Sequence, residues 1–89
     1  MNQNKPLHKI SAGQVAAAVW ENHIEINGQP RRLLKASVSR RYKDAEGQWK
    51  TSTSFSRNEI PLAIHCLHEA FEFILQQDRA DRADAGSEG

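Results

Sequence analysis

The amino-acid sequence predicts an α+β domain: an antiparallel sheet of three to four strands in consecutive hairpins, then one long C-terminal helix packed on one sheet face. Three observations carry this. Apolar residues alternate with period two through the first third of the chain. Two turn signals follow, Asn27-Gly28 and Asp44-Ala45-Glu46-Gly47. From Ile60 to Leu75 the apolar period changes to three and four. At 89 residues there is room for one domain with one modest core. Its expected bounds are a flexible leader over 1–8, a single ββ(β)α domain over 9–77, and a disordered tail over 78–89.

Residues 1–8 are polar and contain Pro6, hence the leader. Between Ile10 and Ile26, Val15, Ala17 and Val19 alternate with Gln14, Ala16, Ala18 and Trp20. The four alanines also fit a helix, but the β-branched residues and Gly13 favour a strand, either continuous or broken near Asn22 into two. Asn27-Gly28 is a strong hairpin signal because both residues tolerate positive φ. Pro30 lacks an N–H and places the start of the next strand on an edge or at a bulge.

A two-residue turn at Asn27-Gly28 sets Val19 opposite Ala36 and Ala17 opposite Val38. The other face then carries Trp20 with Lys35, Ala18 with Ser37, and Ala16 with Ser39. For the second hairpin, pairing Lys43 with Gln48 sets Tyr42 opposite Trp49, Val38 opposite Thr53, and Ala36 opposite Phe55. Arg41 with Lys50, Ser39 with Ser52, and Ser37 with Ser54 share the opposite face. A bulge at Gly47 would shift this register by one residue and misalign each apolar pair, so the sequence argues against it. The two registers agree on which face is apolar.

The helix is expected to start at an Asn58 cap, since Pro61 is tolerated only in the first turn. Ile60, Ala63, Ile64, Leu67, Ala70, Phe71, Ile74 and Leu75 form the stripe expected to cover Val15, Ala17, Val19, Leu34, Ala36, Val38 and Phe55. Leu62, Cys66 and Phe73 lie on a second ridge, read as a homodimer interface. A hydrophobic content of 38% is low for a self-sufficient globule and supports a core shared between two copies. After Gln77 the run DRADRADAGSEG is charged and repetitive, hence the tail.

Charge is unevenly placed. Residues 31–50 hold seven Lys/Arg against two Asp/Glu, a local +5, although the whole chain is only +1. Residues 51–89 hold three against seven, a local −4. A basic block is what a polyanion meets first. The sheet face away from the helix is expected to be a floor of Ala16, Ala18, Ser37, Ser39, Ser52 and Ser54. Lys35, Arg41, Lys43 and Lys50 surround that floor, with Trp20 standing on it. Small side chains admit a nucleotide strand close to the sheet, cations attract phosphates and hydroxyls donate to them. A Trp ring offers an unpaired base a stacking surface worth about 1–3 kcal/mol. The blander reading is a solvated face whose charges only confer solubility. Tyr42 and Trp49 read first as an aromatic clasp across the turn, and second as a further stacking site.

Hairpins followed by a single helix resemble the single-stranded-DNA-binding fold of the Whirly proteins and of the transcriptional coactivator positive cofactor four. The stretch RRYKDAEGQWKTSTSFSRNEIPLAIHCLHEAFEFI is also similar to small prokaryotic proteins carrying Arg-Tyr-Lys-Asp and then Gly and Trp-Lys-Thr before a helix. The likeness spans about residues 9–77 and is mainly architectural. It implies that the sheet face away from the helix handles DNA and that dimers form through the helices.

Chemical motifs are few. His65, His68 and Glu72 share a helical flank at metal-compatible spacings, but no fourth ligand accompanies them, so no metal is expected. Cys66, the one cysteine, cannot form an intrachain disulfide and reads as a packed thiol of a reducing cytoplasm. The chain shows no signal-peptide core, membrane-length apolar run, phosphate loop or paired carboxylates in a pocket. The expectation is therefore a cytoplasmic protein without catalytic residues, cofactor, small-molecule substrate or membrane partner. It would bind single-stranded nucleic acid through Trp20, Lys35, Ser37, Ser39, Arg41, Lys43, Lys50 and Ser52, and serve transcription, replication or repair. The alternative is a protein-interaction module or small regulatory subunit. A double-stranded-RNA domain would need a helix before the sheet, which residues 1–9 are too short and polar to supply.

Overall fold

The computed structural model describes residues 5–86 of the chain, with side chains through Asp81. Its elements are β1 (His8–Ala12), β2 (Val15–Ile26), β3 (Gln29–Lys43), β4 (Trp49–Ser52) and α1 (Ile60–Gly86). The strands form one antiparallel sheet in the order β1-β2-β3-β4, and α1 packs on one of its faces. The molecule measures 57 × 27 × 18 Å, and its least dimension is that of one sheet and one helix layer.

Hairpin β2–β3 has the expected register throughout, from Ile26 opposite Gln29 to Val15 opposite Arg40. Asn27 and Gly28 take φ of 54° and 76°, the turn geometry that matches the twist of the flanking strands. The break in the first strand falls at Gly13-Gln14, not near Asn22. Gly13 takes φ of 61°, and β1 pairs with β2 from His8 opposite Val19 to Ala12 opposite Val15. Leu7 N–H donates to Val19 O at 2.7 Å, so pairing begins inside the segment expected to be a loose leader. Residues 1–4 of that leader lie outside the described residues.

The second hairpin corrects the expected register by one residue. Lys43 faces Trp49, Tyr42 faces Lys50, and Arg41 faces Thr51. Asp44 makes the turn: its Oδ1 accepts from Glu46 N–H and Gln48 N–H, both at 2.9 Å. Its own N–H donates to Gln48 O at 2.9 Å, and Gly47 takes φ of 82° as the extra residue. This is a bulged turn of the kind the sequence argued against. The expected pairs Val38 with Thr53 and Ala36 with Phe55 do not constrain it, because β4 stops at Ser52. Phe55 instead reaches the core from the segment that follows.

The helix meets the sheet along a ridge that overlaps the expected stripe only in part, with Ala63, Ala70 and Ile74 common to both. Ala63, Cys66 and Ala70 are buried against Val15, Ala17 and Val19, with Leu62, Phe73, Ile74 and Phe55 partly buried around them. Val15 and Val19 already fill the space above the strands, so a narrow strip of small residues seats there better than bulky Ile64 and Phe71. Leu62, Cys66 and Phe73, expected at a dimer interface, contribute instead to the core of their own chain. Cys66 is fully buried, Leu62 Cδ1 lies against Gly13, and Phe73 stacks on His8 with ring centroids 4.2 Å apart. Burial also pushes the Cys66 thiol up from its ordinary pKa and keeps it protonated. Of the residues expected under the sheet, Ile60, Ile64, Leu67 and Phe71 are exposed instead.

Both helix ends correct the expectation. At the start, a Ser-x-x-Glu box of Ser56 and Glu59, rather than Asn58, closes the turn that leads into α1, and Pro61 falls in the first turn of the helix. Ser56 N–H and its hydroxyl donate to Glu59 Oε1 at 2.9 Å each, and Ile60 N–H donates to Ser56 O at 3.0 Å. At the far end the helix continues through Gly86 instead of dissolving after Gln77. Arg32 of β3 ties it down: Nη1 pairs with Asp81 at 3.2 Å, Nη2 donates to Gln77 at 3.1 Å, and Nε pairs with Glu21 at 2.6 Å. The rest of the expected tail, residues 87–89, lies outside the described residues.

The cap makes acid stability testable. Hydrogen bonds from the Ser56 backbone and hydroxyl, and then Arg40, hold the Glu59 carboxyl below its ordinary value of 4.5. A depressed carboxylate stabilises the fold fully above its unfolded pKa, and that stability is lost as pH falls through the folded value. Wild type should exceed Glu59→Gln in urea midpoint at neutral pH, and the gap should close as pH falls below 4.5. A gap that persists at lower pH would deny the box this role.

Candidate nucleic-acid interface

Strand parity defines the face that α1 leaves open. On β2 the buried residues are Val15, Ala17 and Val19, so Ala16, Ala18 and Trp20 point the other way. Their partners on β3, Ser39, Ser37 and Lys35, share that face, and Arg41 and Lys43 continue it. From β1, Lys9 and Ser11 join opposite Ala18 and Ala16. The corrected register brings in Thr51 opposite Arg41 and Trp49 opposite Lys43.

Six of the eight expected binding residues therefore meet here: Trp20, Lys35, Ser37, Ser39, Arg41 and Lys43. Lys50 and Ser52 do not. They face Tyr42 and Arg40 on the helix side of the sheet. Lys50 Nζ lies 3.3 Å from Asp44 Oδ2, and Ser52 Oγ accepts from Ser54 N–H at 3.0 Å. Hydrogen bonds from the backbone, that of Gln48 foremost, and from Lys50 hold the Asp44 carboxyl below its ordinary value. Ser54 leaves the floor as well, its carbonyl accepting from Arg40 Nε at 2.6 Å. The Tyr42–Trp49 clasp is absent, because the two rings belong to opposite faces.

Trp20 Nε1 donates to Ser37 Oγ at 3.1 Å, which fixes the half-buried indole over the serine floor. Trp49 is 53% exposed, with the Arg41 guanidinium 5.0 Å and the Lys43 ammonium 5.3 Å from its ring centre. Aromatic surface and positive charge thus occur together, as a stacked base and its phosphate require. Lys9, Ser11 and Thr51 were missed in the sequence. The signal for the first two was a phase change: inward residues are even-numbered at Ile10 and Ala12 and odd-numbered from Val15, as a two-residue turn imposes.

Toward the β2–β3 turn the open face becomes apolar, with Ile24, Ile26 and Leu33 exposed. On α1, His68 and Glu72 sit 3.9 Å apart, and among the described residues no three His, Cys, Asp or Glu side chains gather to hold a metal. Among the described residues no helix is long and apolar enough to cross a membrane. Compared with known family models, curated proteins and solved structures, the chain matches none.

Proposed function

We propose that this protein binds single-stranded nucleic acid, DNA foremost, on the open face of its sheet. It serves transcription, replication or repair in the cytoplasm, as a homodimer, without chemistry of its own. One observation carries the reading: Trp20 and Trp49 share an uncovered face with Lys9, Lys35, Arg41 and Lys43, over a floor of alanines and hydroxyls. A duplex hides its bases in the stack, whereas a single strand offers them to these rings.

The test is binding of single- and double-stranded oligonucleotides by fluorescence anisotropy at two or more salt concentrations. Single strands should bind more tightly, with log K falling linearly in log salt by about 0.7 for each phosphate contacted. Absent binding, or binding indifferent to salt, would remove the proposal.

A second reading, a protein-interaction module, has its own observation. β4 pairs with Arg40–Lys43 only, so among the described residues β3 from Gln29 to Ser39 has no strand partner on that side. Such an edge can accept a strand from another chain. Pro30 and the charges of Arg31, Arg32 and Lys35 along it are of the kind that discourages such pairing, which favours the first reading.

A further inference from the structure

The open face has internal order along the strands. Two shallow basins lie on it, of about 280 and 320 Å³. Trp20 lines only the first, Trp49 only the second, and Lys9, Ala16 and Arg41 line both. The basins are thus in series, joined over a small residue between two cations, with an indole at each outer end.

The pairing gives the spacing. In steps of two along β3, the levels are Lys35 with Trp20, Ser37 with Ala18 and Lys9, Ser39 with Ala16 and Ser11, Arg41 with Thr51, and Lys43 with Trp49. Each level advances about 6.6 Å, and Trp20 to Trp49 spans about 26 Å. The succession runs aromatic, cation, small floor, cation, aromatic.

We infer that one nucleic-acid strand lies lengthwise along β2 and β3, stacking one base on Trp20 and another on Trp49, while Lys9 and Arg41 grip the phosphates between. The inference rests on the nucleic-acid reading above and adds a ligand length. At the stacked spacing of about 3.4 Å per nucleotide the track takes about eight, and a stretched strand needs fewer, within the range of about 4–16 known for single-strand grooves. A path across the strands would meet one tryptophan at most, since the two are eight β3 positions apart, at Lys35 and Lys43.

Single-tryptophan variants read the ends separately: Trp49→Phe reports Trp20, and Trp20→Phe reports Trp49. Each is titrated with oligothymidylates of about two to about twelve nucleotides, following both fluorescence and anisotropy. Affinity should rise about tenfold or more as length passes from about three to about eight nucleotides. Beyond that length, one oligonucleotide per chain should quench the reporter in either variant. Three outcomes overturn the lengthwise track. The first is a flat affinity across this range. The second is full quenching of both reporters by trinucleotides. The third is one tryptophan unquenched at all lengths while anisotropy still shows binding, and these three leave the interface itself standing. Absence of binding in wild-type protein at every length removes both.

Discussion

Alanine at Lys9, Arg41 and Lys43 together should weaken single-strand binding about a hundredfold at about 0.1 M salt. Each cation that neutralises a phosphate releases about 0.7 of a counterion from a single strand, so losing three flattens the salt slope by about two. Across the decade from about 0.1 to about 1 M salt, that slope is the hundredfold. All three side chains are exposed on the open face and outside the buried core, so far-ultraviolet circular dichroism should be unchanged. The companion variant is Lys50→Ala. Lys50 is equally basic and one residue from Trp49, but it faces the helix side of the sheet. Its loss should leave affinity within about twofold, the modest effect expected of a distant charge. If Lys50→Ala weakens binding as much as Arg41→Ala, the one-residue shift in the second hairpin has been assigned to the wrong face.

That shift marks the boundary of what the residues made legible. The β2–β3 register followed from Asn27-Gly28 alone, because a two-residue turn leaves no freedom in the pairing. Six of the eight residues expected to bind on the open face lie on it as a consequence. In the second hairpin the competing forces were local and distant. Asp44 closes its turn with bonds to backbone N–H groups two and four residues on, and Gly47 accepts positive φ. The apolar pairing that opposed this lies past the end of β4. Local turn chemistry decided the register, exchanging Lys50 and Ser52 for Trp49 and Thr51 on the open face. β1 was hidden differently. Ala12 and Val15 prolong an apparently continuous alternation across Gly13-Gln14, and only the change of parity betrays the turn.

The helix shows a limit of periodicity itself. Its apolar residues occupy more than half of its circumference, so spacing alone cannot say which part meets the sheet. Side-chain size decides, and the small strip of Ala63, Cys66 and Ala70 is the one that fits over Val15 and Val19.

The ridge left over carries the second large prediction. Ile60, Ile64, Leu67 and Phe71 are 47, 62, 42 and 55% exposed, in a chain with few apolar residues to spare. Their spacing of four, three and four is the seam by which two copies of a helix interlock, and no charged side chain interrupts it. The interface expected for a homodimer is therefore this ridge rather than Leu62, Cys66 and Phe73, which the chain uses internally. Two subunits joined helix to helix would turn both open faces outward, so that one strand can engage both with the gain that linkage gives. Ile64→Glu with Phe71→Glu should abolish the dimer, since burying two unpaired carboxylates at a seam costs several kcal/mol each. Within one chain both positions already face water, so the variant should keep its circular dichroism and its thermal transition should remain cooperative. Sedimentation equilibrium should give a dimer for wild type and a monomer for the variant. Wild-type protein that sediments as a monomer at high micromolar concentration would rule out this ridge as an interface.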